Sequence, residues 1–358
     1  MNADPVVLFQ PQNHVGLGHI NRLSAIAFAL RRIDPGIVTP FVVEGAAHVL
    51  LDVLGLAYVP LAASHQMNVT EGWAAFSKTQ RSALQLEVAR AILRGLRPRV
   101  VVFDCFPNIE FASAVLEQKL PVVLCLREVK DWPNFLKRLT GLLDHVTQIL
   151  IPHEAGSFEL PEMIREKSLF VGEVTRPVAS ASQAARNAGR RIVINAGGGG
   201  YPGTVEFYNL AIQAVAELRR ADARIDAHLI AGPLFNDWTR LKLADGVTVT
   251  PFAASTADIF AAASLVVCQA GYNTVAELRQ LNVKTVLAPG QRVWDDQFSR
   301  ARKTASECSR FRAFEGTSHI ELAEMMRSTL DSSLSPQVER RMPQGAQRAA
   351  EYLRTLFR

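Results

Sequence analysis

Short, near-continuous apolar runs punctuate the chain at residues 6–10, 39–43, 57–61, 99–104, 121–126, 148–152 and 168–171. Each is too brief for an ordinary helix and is rich in Val, Ile, Leu or Phe, so each reads as a buried strand. Between them lie stretches with helical spacing. Ile20, Leu23, Ala27 and Leu30 share one face over residues 20–32, and residues 71–97 form a long helical or partly flexible region. The pattern restarts at 191–195 and continues through 227–231, 247–252, 265–268 and 284–288, with a helix expected over 206–220. Strands alternating with helices predict parallel sheets, and two such series predict an α/β chain of two Rossmann-like domains. Residues 176–190 contain Pro177 and an Ala/Ser-rich run with no apolar period, which marks a linker between a domain at 1–175 and one at 191–335. In the tail, 336–358, Ala346, Ala349, Ala350, Leu353 and Leu356 fall on one stripe and predict a closing helix.

Composition narrows this picture. The chain has 358 residues, enough for two ordinary domains, and its 48% apolar and 20% charged fractions suit a globular enzyme. No run reaches the roughly 18 apolar residues of a membrane span. The N-terminus lacks the basic, apolar, small-residue order of a signal peptide, so a cytoplasmic location is expected. Four cysteines, Cys105, Cys125, Cys268 and Cys308, lie scattered without a CxxC pair, which suggests neither a disulfide frame nor a zinc site. A formal charge of +5 and a pI near 9.2 suit an anionic substrate, or weak peripheral attraction to an anionic lipid surface. The basic residues are dispersed and few aromatics interleave with them, which argues against nucleic acid as a partner.

Candidate chemistry gathers at three Gly-bearing turns. The first strand runs into Gly16-Leu17-Gly18-His19, and the third glycine of a GxGxxG dinucleotide fingerprint is absent. His19, at a helix start where the dipole lowers its pKa, is the candidate general base. Asp104 closes the run 99–104 and could orient that imidazole. Ligands bind beyond the carboxyl ends of strands in open α/β sheets, and Arg127 and Glu128 follow another such end. Arg22, one turn after His19, suits either an acceptor or donor phosphate or a plain surface helix position. His14, His65, His153 and His319 are read as structural. In the second series, four consecutive glycines, Gly197, Gly198, Gly199 and Gly200, follow a strand and form a backbone cradle open to phosphate. A further strand runs into Gln269-Ala270-Gly271, with Asn273 or Thr274 expected to cap the helix that follows. Such a helix start presents backbone N–H groups and partial positive charge to a diphosphate, and Gly271 removes a Cβ that would hold it away. Asn273 and Glu277 share one helix face, where a carboxylate can accept from a ribose diol. The next strand ends at Pro289-Gly290 and delivers Asp295, Asp296 and Gln297 to the same rim.

The run Gly271-Tyr272-Asn273-Thr274-Val275-Ala276-Glu277, with Asp296-Gln297 downstream, resembles the donor signature of GT-B nucleotide-sugar glycosyltransferases. That group includes the UDP-glycosyltransferases and the lipid-linked N-acetylglucosaminyl transferases of peptidoglycan synthesis. Gly16-Leu17-Gly18-His19-Ile20-Asn21-Arg22 resembles a Gly-x-Gly-His-x-x-Arg bacterial subgroup. The chain departs from the pattern at Gln269, where plant-type members carry a phosphate-binding His, at Asn282-Val283-Lys284 in place of Gly-x-Pro, and at Arg300 in place of a closing Asn. The resemblance implies two domains facing across a cleft, with the tail helix crossing back to the first. Backbone near Phe252 would read the base, and Asp296 and Gln297 would meet the sugar. It further implies inverting, metal-independent transfer from a nucleotide diphosphate sugar, UDP being the expected carrier, to a small-molecule or lipid acceptor. No cofactor beyond that cosubstrate is expected. A nucleotide-sugar hydrolase or non-hydrolysing epimerase on the same fold is the alternative, and a nucleotide-sugar-binding protein without turnover stands outside both.

Overall fold

The computed structural model describes residues 4–12, 16–61, 75–176, 190–253, 255–333 and 343–357. The chain divides into two compact units, Met1–Arg176 with Pro343–Arg358, and Pro177–Met342. The expected linker, apart from Arg176 and Arg190, lies outside the described residues, as do His14, His65 and residues 336–342 of the tail.

In the first unit seven described strands form one parallel sheet: β1 (Val7–Pro11), β2 (Phe41–Glu44), β3 (Tyr58–Leu61), β4 (Val100–Asp104), β5 (Val122–Cys125), β6 (Val146–Ile151) and β7 (Ser168–Phe170). Their spatial order is β3-β2-β1-β4-β5-β6-β7. The central strands are sealed on both faces, which is why their sequences read as continuous apolar runs. Phe9 stands opposite Phe41 on one side and Val102 on the other, and the two phenyl rings stack at 5.2 Å. The strand order reverses between β1 and β4, so a crevice opens there beyond their carboxyl ends.

The second unit repeats the plan with β8 (Arg190–Asn195), β9 (Ile225–Ile230), β10 (Val247–Thr250), β11 (Leu265–Cys268), β12 (Thr285–Leu287) and β13 (Phe311–Ala313). The order is β10-β9-β8-β11-β12-β13, and the reversal falls between β8 and β11. β13 was not expected from the sequence, because Phe311-Arg312-Ala313 is too short and mixed to stand out; pairing with β12 makes it a strand.

The tail helix, Gly345–Thr355, buries Ala346, Ala349, Ala350 and Leu353 and packs against the helix Gly18–Ile33 within the first unit. Small residues let the two backbones approach. Leu356, placed on the same stripe by periodicity, stays half-buried past the helix end. A Cβ at Gly345 would lie 2.3 Å from the Gly172 carbonyl oxygen, so glycine is needed where this helix meets the chain after β7. Among the described residues no helix is long and apolar enough to cross a membrane.

Candidate functional site

The first crevice is built on one buried carboxylate. Asp104 ends β4 at 0% exposure, and Cys105 follows at φ 60, a left-handed conformation that side-chain-bearing residues rarely adopt. The helix Gly18–Ile33 places His19 and Arg22 three residues apart on one face, both toward Asp104. Arg22 grips the carboxylate with two parallel bonds, Nε to Oδ2 at 2.8 Å and Nη2 to Oδ1 at 2.7 Å. His19 Nδ1 lies 2.8 Å from Asp104 Oδ1 and 3.3 Å from Arg22 Nη2. A carboxylate only accepts and a guanidinium only donates, so the two neighbours ask for opposite tautomers. The shorter, charge-assisted contact decides: Nδ1 carries the proton and donates to Asp104, which leaves Nε2 as the basic nitrogen.

The electrostatics follow from burial. Burial alone would raise the Asp104 carboxyl, but Arg22 and then His19 hold it far below its ordinary 3.8. Burial lowers the His19 imidazole below 6.5 against the pull of Asp104, and Arg22 and Arg127 push it the same way. The sequence left two readings for Arg22, a phosphate contact or an exposed helix position. At 2% exposure it is neither at the surface nor open to a phosphate; its guanidinium is spent on Asp104. Arg127 lies near enough to bias His19, whereas Glu128 is exposed, with its backbone N–H donating to His153 Nε2 at 3.3 Å. Gly16 and Gly18 are half-buried, Gly18 opening the helix. Beside them sits a buried polar chain that sequence reasoning missed. The Gln10 side-chain carbonyl accepts from the Asn108 backbone N–H, and Asn108 Nδ2 donates to Glu44 at 2.6 Å.

His19, Asp104 and Cys105 are the one group of metal-ligand types that the described residues bring within 4.8 Å. They do not fit an ion. Both Asp104 oxygens are engaged, and burial pushes the Cys105 thiol up to about 12, so it carries no thiolate.

The second crevice has loops from β8, β11 and β12 around it. After β8, Gly197 and Gly199 take φ 77 and φ 84. A Cβ at Gly199 would lie 2.5 Å from the Ala231 carbonyl oxygen and 2.8 Å from Phe235 Cβ, so this member of the cradle is required by packing. Gly197 has nothing within 4 Å of such a Cβ; Gly198 is buried and Gly200 half-buried. After β11 the helix Tyr272–Leu281 begins with Gly271 as its N-cap, and no side chain caps it. The cap expected at Asn273 or Thr274 is therefore displaced: both residues are inside the first turn. Gly271 is half-buried at φ −65, with Thr274 Oγ1 as its nearest Cβ neighbour at 3.6 Å. Neither backbone strain nor crowding calls for glycine there.

Glu277 is reached by the loop that follows β10. Thr256 Oγ1 donates to its two carboxylate oxygens at 3.2 and 3.1 Å, and half-buried Phe252 belongs to the same loop. Asp296 caps the helix Gln297–Glu307 by accepting from Ser299 N–H at 3.0 Å. Gln297 is buried, and its side-chain carbonyl accepts from Gly290 N–H at 3.0 Å. Both residues of the expected sugar contact thus have architectural partners. Asp295 pairs with Arg300 at 2.7 Å, and Arg300 also donates to the Ala270 carbonyl. Gln269 is buried, with its side-chain oxygen accepting from Arg292 Nη2. Sequence reasoning overlooked Arg292. The available signal was a lone cation two residues after Pro289-Gly290, at the end of an apolar run.

Residues 203–350 match the glycosyltransferase family 28 C-terminal domain. Over 301 residues the chain is 27% identical to the UDP-N-acetylglucosamine–N-acetylmuramyl-(pentapeptide) pyrophosphoryl-undecaprenol N-acetylglucosamine transferase of Symbiobacterium thermophilum, covering 77% of this chain and 74% of that one. The solved glycotransferase of kitacinnamycin shares the fold with a TM-score of 0.63 at 13% identity over 100% of both chains. A spinosyn rhamnosyltransferase complexed with thymidine diphosphate does so with a TM-score of 0.58 at 16% identity, covering 98% of this chain and 95% of that one. The expectation of two Rossmann-like α/β domains is met, as is the resemblance drawn from the Gly271–Glu277 run. With this fold, a family 28 domain over 203–350 and a transferase relative along most of its length, the chain is a GT-B nucleotide-sugar glycosyltransferase.

Proposed function

We propose that this enzyme moves a sugar from a uridine diphosphate carrier to a small-molecule or lipid-linked acceptor, with inversion at the anomeric carbon and without a metal ion. The His19–Asp104 contact at 2.8 Å carries the proposal. A neutral imidazole whose Nδ1–H is tied to a carboxylate offers Nε2 to an acceptor O–H or N–H. Nε2 takes that proton as the acceptor attacks, the bond from the anomeric carbon to the diphosphate breaks, and a single displacement inverts the centre. Asp104 steadies the imidazolium, and Arg22 keeps Asp104 ionised. In the second unit Gly271 and the Gly197–Gly200 turn would receive the diphosphate, with Glu277 taking the ribose hydroxyls. Partial positive charge from those backbone amides would then stabilise the departing diphosphate in place of a metal. The name of the Symbiobacterium relative makes UDP-N-acetylglucosamine the first donor to test and a lipid-linked acceptor the first class to try. A cytoplasmic location, with weak attraction of a +5 chain to anionic lipid, completes the reading.

A thermal-shift comparison of UDP-, dTDP- and GDP-sugars selects the donor, and His19→Ala then tests the mechanism. Transfer is expected to fall by roughly 10² or more with UDP affinity unchanged, on the scale of a lost general base. Unaltered turnover would remove His19 from the chemistry. UDP release at the full rate without any acceptor would replace transfer by hydrolysis.

A further inference from the structure

Three loops of the second unit meet on one side chain. Arg292, on the loop after β12, is 9% exposed. Its guanidinium carbon lies 3.8 Å from the centroid of the Tyr201 ring, the residue that follows the four glycines after β8. Its Nη2 donates to the side-chain oxygen of Gln269, the first residue after β11. Its Nη1 donates to the Gln291 carbonyl at 2.7 Å. Gly290 makes room for the arrangement: a Cβ there would lie 2.8 Å from Arg292 Nη1 and 3.0 Å from Gln269 Nε2. The cation therefore lies at the reversal of strand order, tied to both loops that border it.

Two physical consequences follow. A guanidinium only donates, so Gln269 must turn its oxygen toward Arg292, and its NH2 group becomes a fixed donor. A guanidinium this far out of water is costly, and an anion beside it recovers that cost. Asp295 already lays the field of one carboxylate on Arg292, and a diphosphate would add to it.

Building on the donor reading above, we propose that Arg292 and Gln269 act as a pair that grips the donor's diphosphate. Gln269 donates an amide N–H to a phosphate oxygen, and Arg292 positions that amide and supplies the charge behind it. Tyr201 couples the same cation to the glycine turn, so the turn and the amide are held as one surface.

The test compares UDP with UMP by calorimetry in wild type, Arg292→Lys, Arg292→Met and Gln269→Glu. Wild type is expected to prefer UDP by about tenfold or more, the scale of one charge-assisted contact. Arg292→Met should bring the UDP-to-UMP ratio to within about threefold while UMP affinity changes little. Arg292→Lys, which keeps the charge, should retain most of the preference. Gln269→Glu replaces the donor by a carboxylate of equal size and should also erase it. A wild-type ratio in Arg292→Met or Gln269→Glu overturns the proposal, and so does equal loss of UMP and UDP, the mark of a collapsed pocket. Wild type that binds no UDP would instead sink the donor reading itself.

Discussion

A carboxylate with 0% exposure stays ionised in this fold because a guanidinium and an imidazole both meet it. Asp104→Asn keeps the volume, removes the charge and strands Arg22. Breaking one side of a buried pair costs about 3–5 kcal/mol, to be read from urea unfolding. The same change removes the negative charge that raises His19, so its pKa should drop further and the acid limb of the rate profile should move to lower pH. In wild type that limb belongs below pH 6.5, because burial holds His19 under its ordinary value. The linkage signs are distinct for the two groups. A histidine lowered on folding favours the unfolded chain once pH falls below 6.5. A carboxyl lowered on folding contributes stability above its ordinary 3.8 that is lost as pH falls toward the folded value. Stability should therefore decline in two stages, and Asp104→Asn should lack the second. A wild-type rate limb above pH 6.5 would contradict the local electrostatics.

At the scale of elements, the two glycine turns of the second unit look alike in sequence and differ in cause. Gly199 combines φ 84 with a Cβ position 2.5 Å from Ala231 O. Gly199→Ala should cost about 1–3 kcal/mol of stability, since it meets both strain and overlap. Gly271 sits at φ −65 with 3.6 Å to its nearest neighbour. Gly271→Ala should leave unfolding within about 0.5 kcal/mol of wild type, as surface changes do, yet weaken UDP. If Gly271→Ala binds UDP normally, the helix start is not the diphosphate site. The four-glycine cradle was legible as a feature of the chain; that Gly199 answers to Ala231 and Phe235 was not, because those partners lie on a different loop.

At the scale of the whole molecule, two parallel sheets share one strand-order logic, and each places its candidate site residues beside the point where that order reverses. The tail helix Gly345–Thr355 belongs to the first unit, where Leu353 is fully buried. It packs on the helix that carries His19 and Arg22. Leu353→Ala should cost about 2–5 kcal/mol in the first unit. Because the loss falls behind the His19 helix, transfer should drop while UDP affinity holds. A parallel loss of UDP affinity would show that the damage is not confined to that unit.

The sequence by itself determined the fold class, most strands to within a few residues, the tail helix and the three glycine turns that carry the candidate site residues. All of these are written in local periodicity and local turn residues, so a short window carries them. It also brought His19 and Asp104 into one hypothesis through their positions at strand and helix ends. Only the tertiary structure decided that Arg22 is the buried partner of Asp104, 82 residues away, and that Thr256 holds Glu277 from 21 residues off. The same holds for the Arg292–Gln269 contact and for the packing role of Gly199. Whether a charge is buried, and what meets it there, depends on strand order and crossover, which bring distant residues together without leaving a periodic trace in the chain.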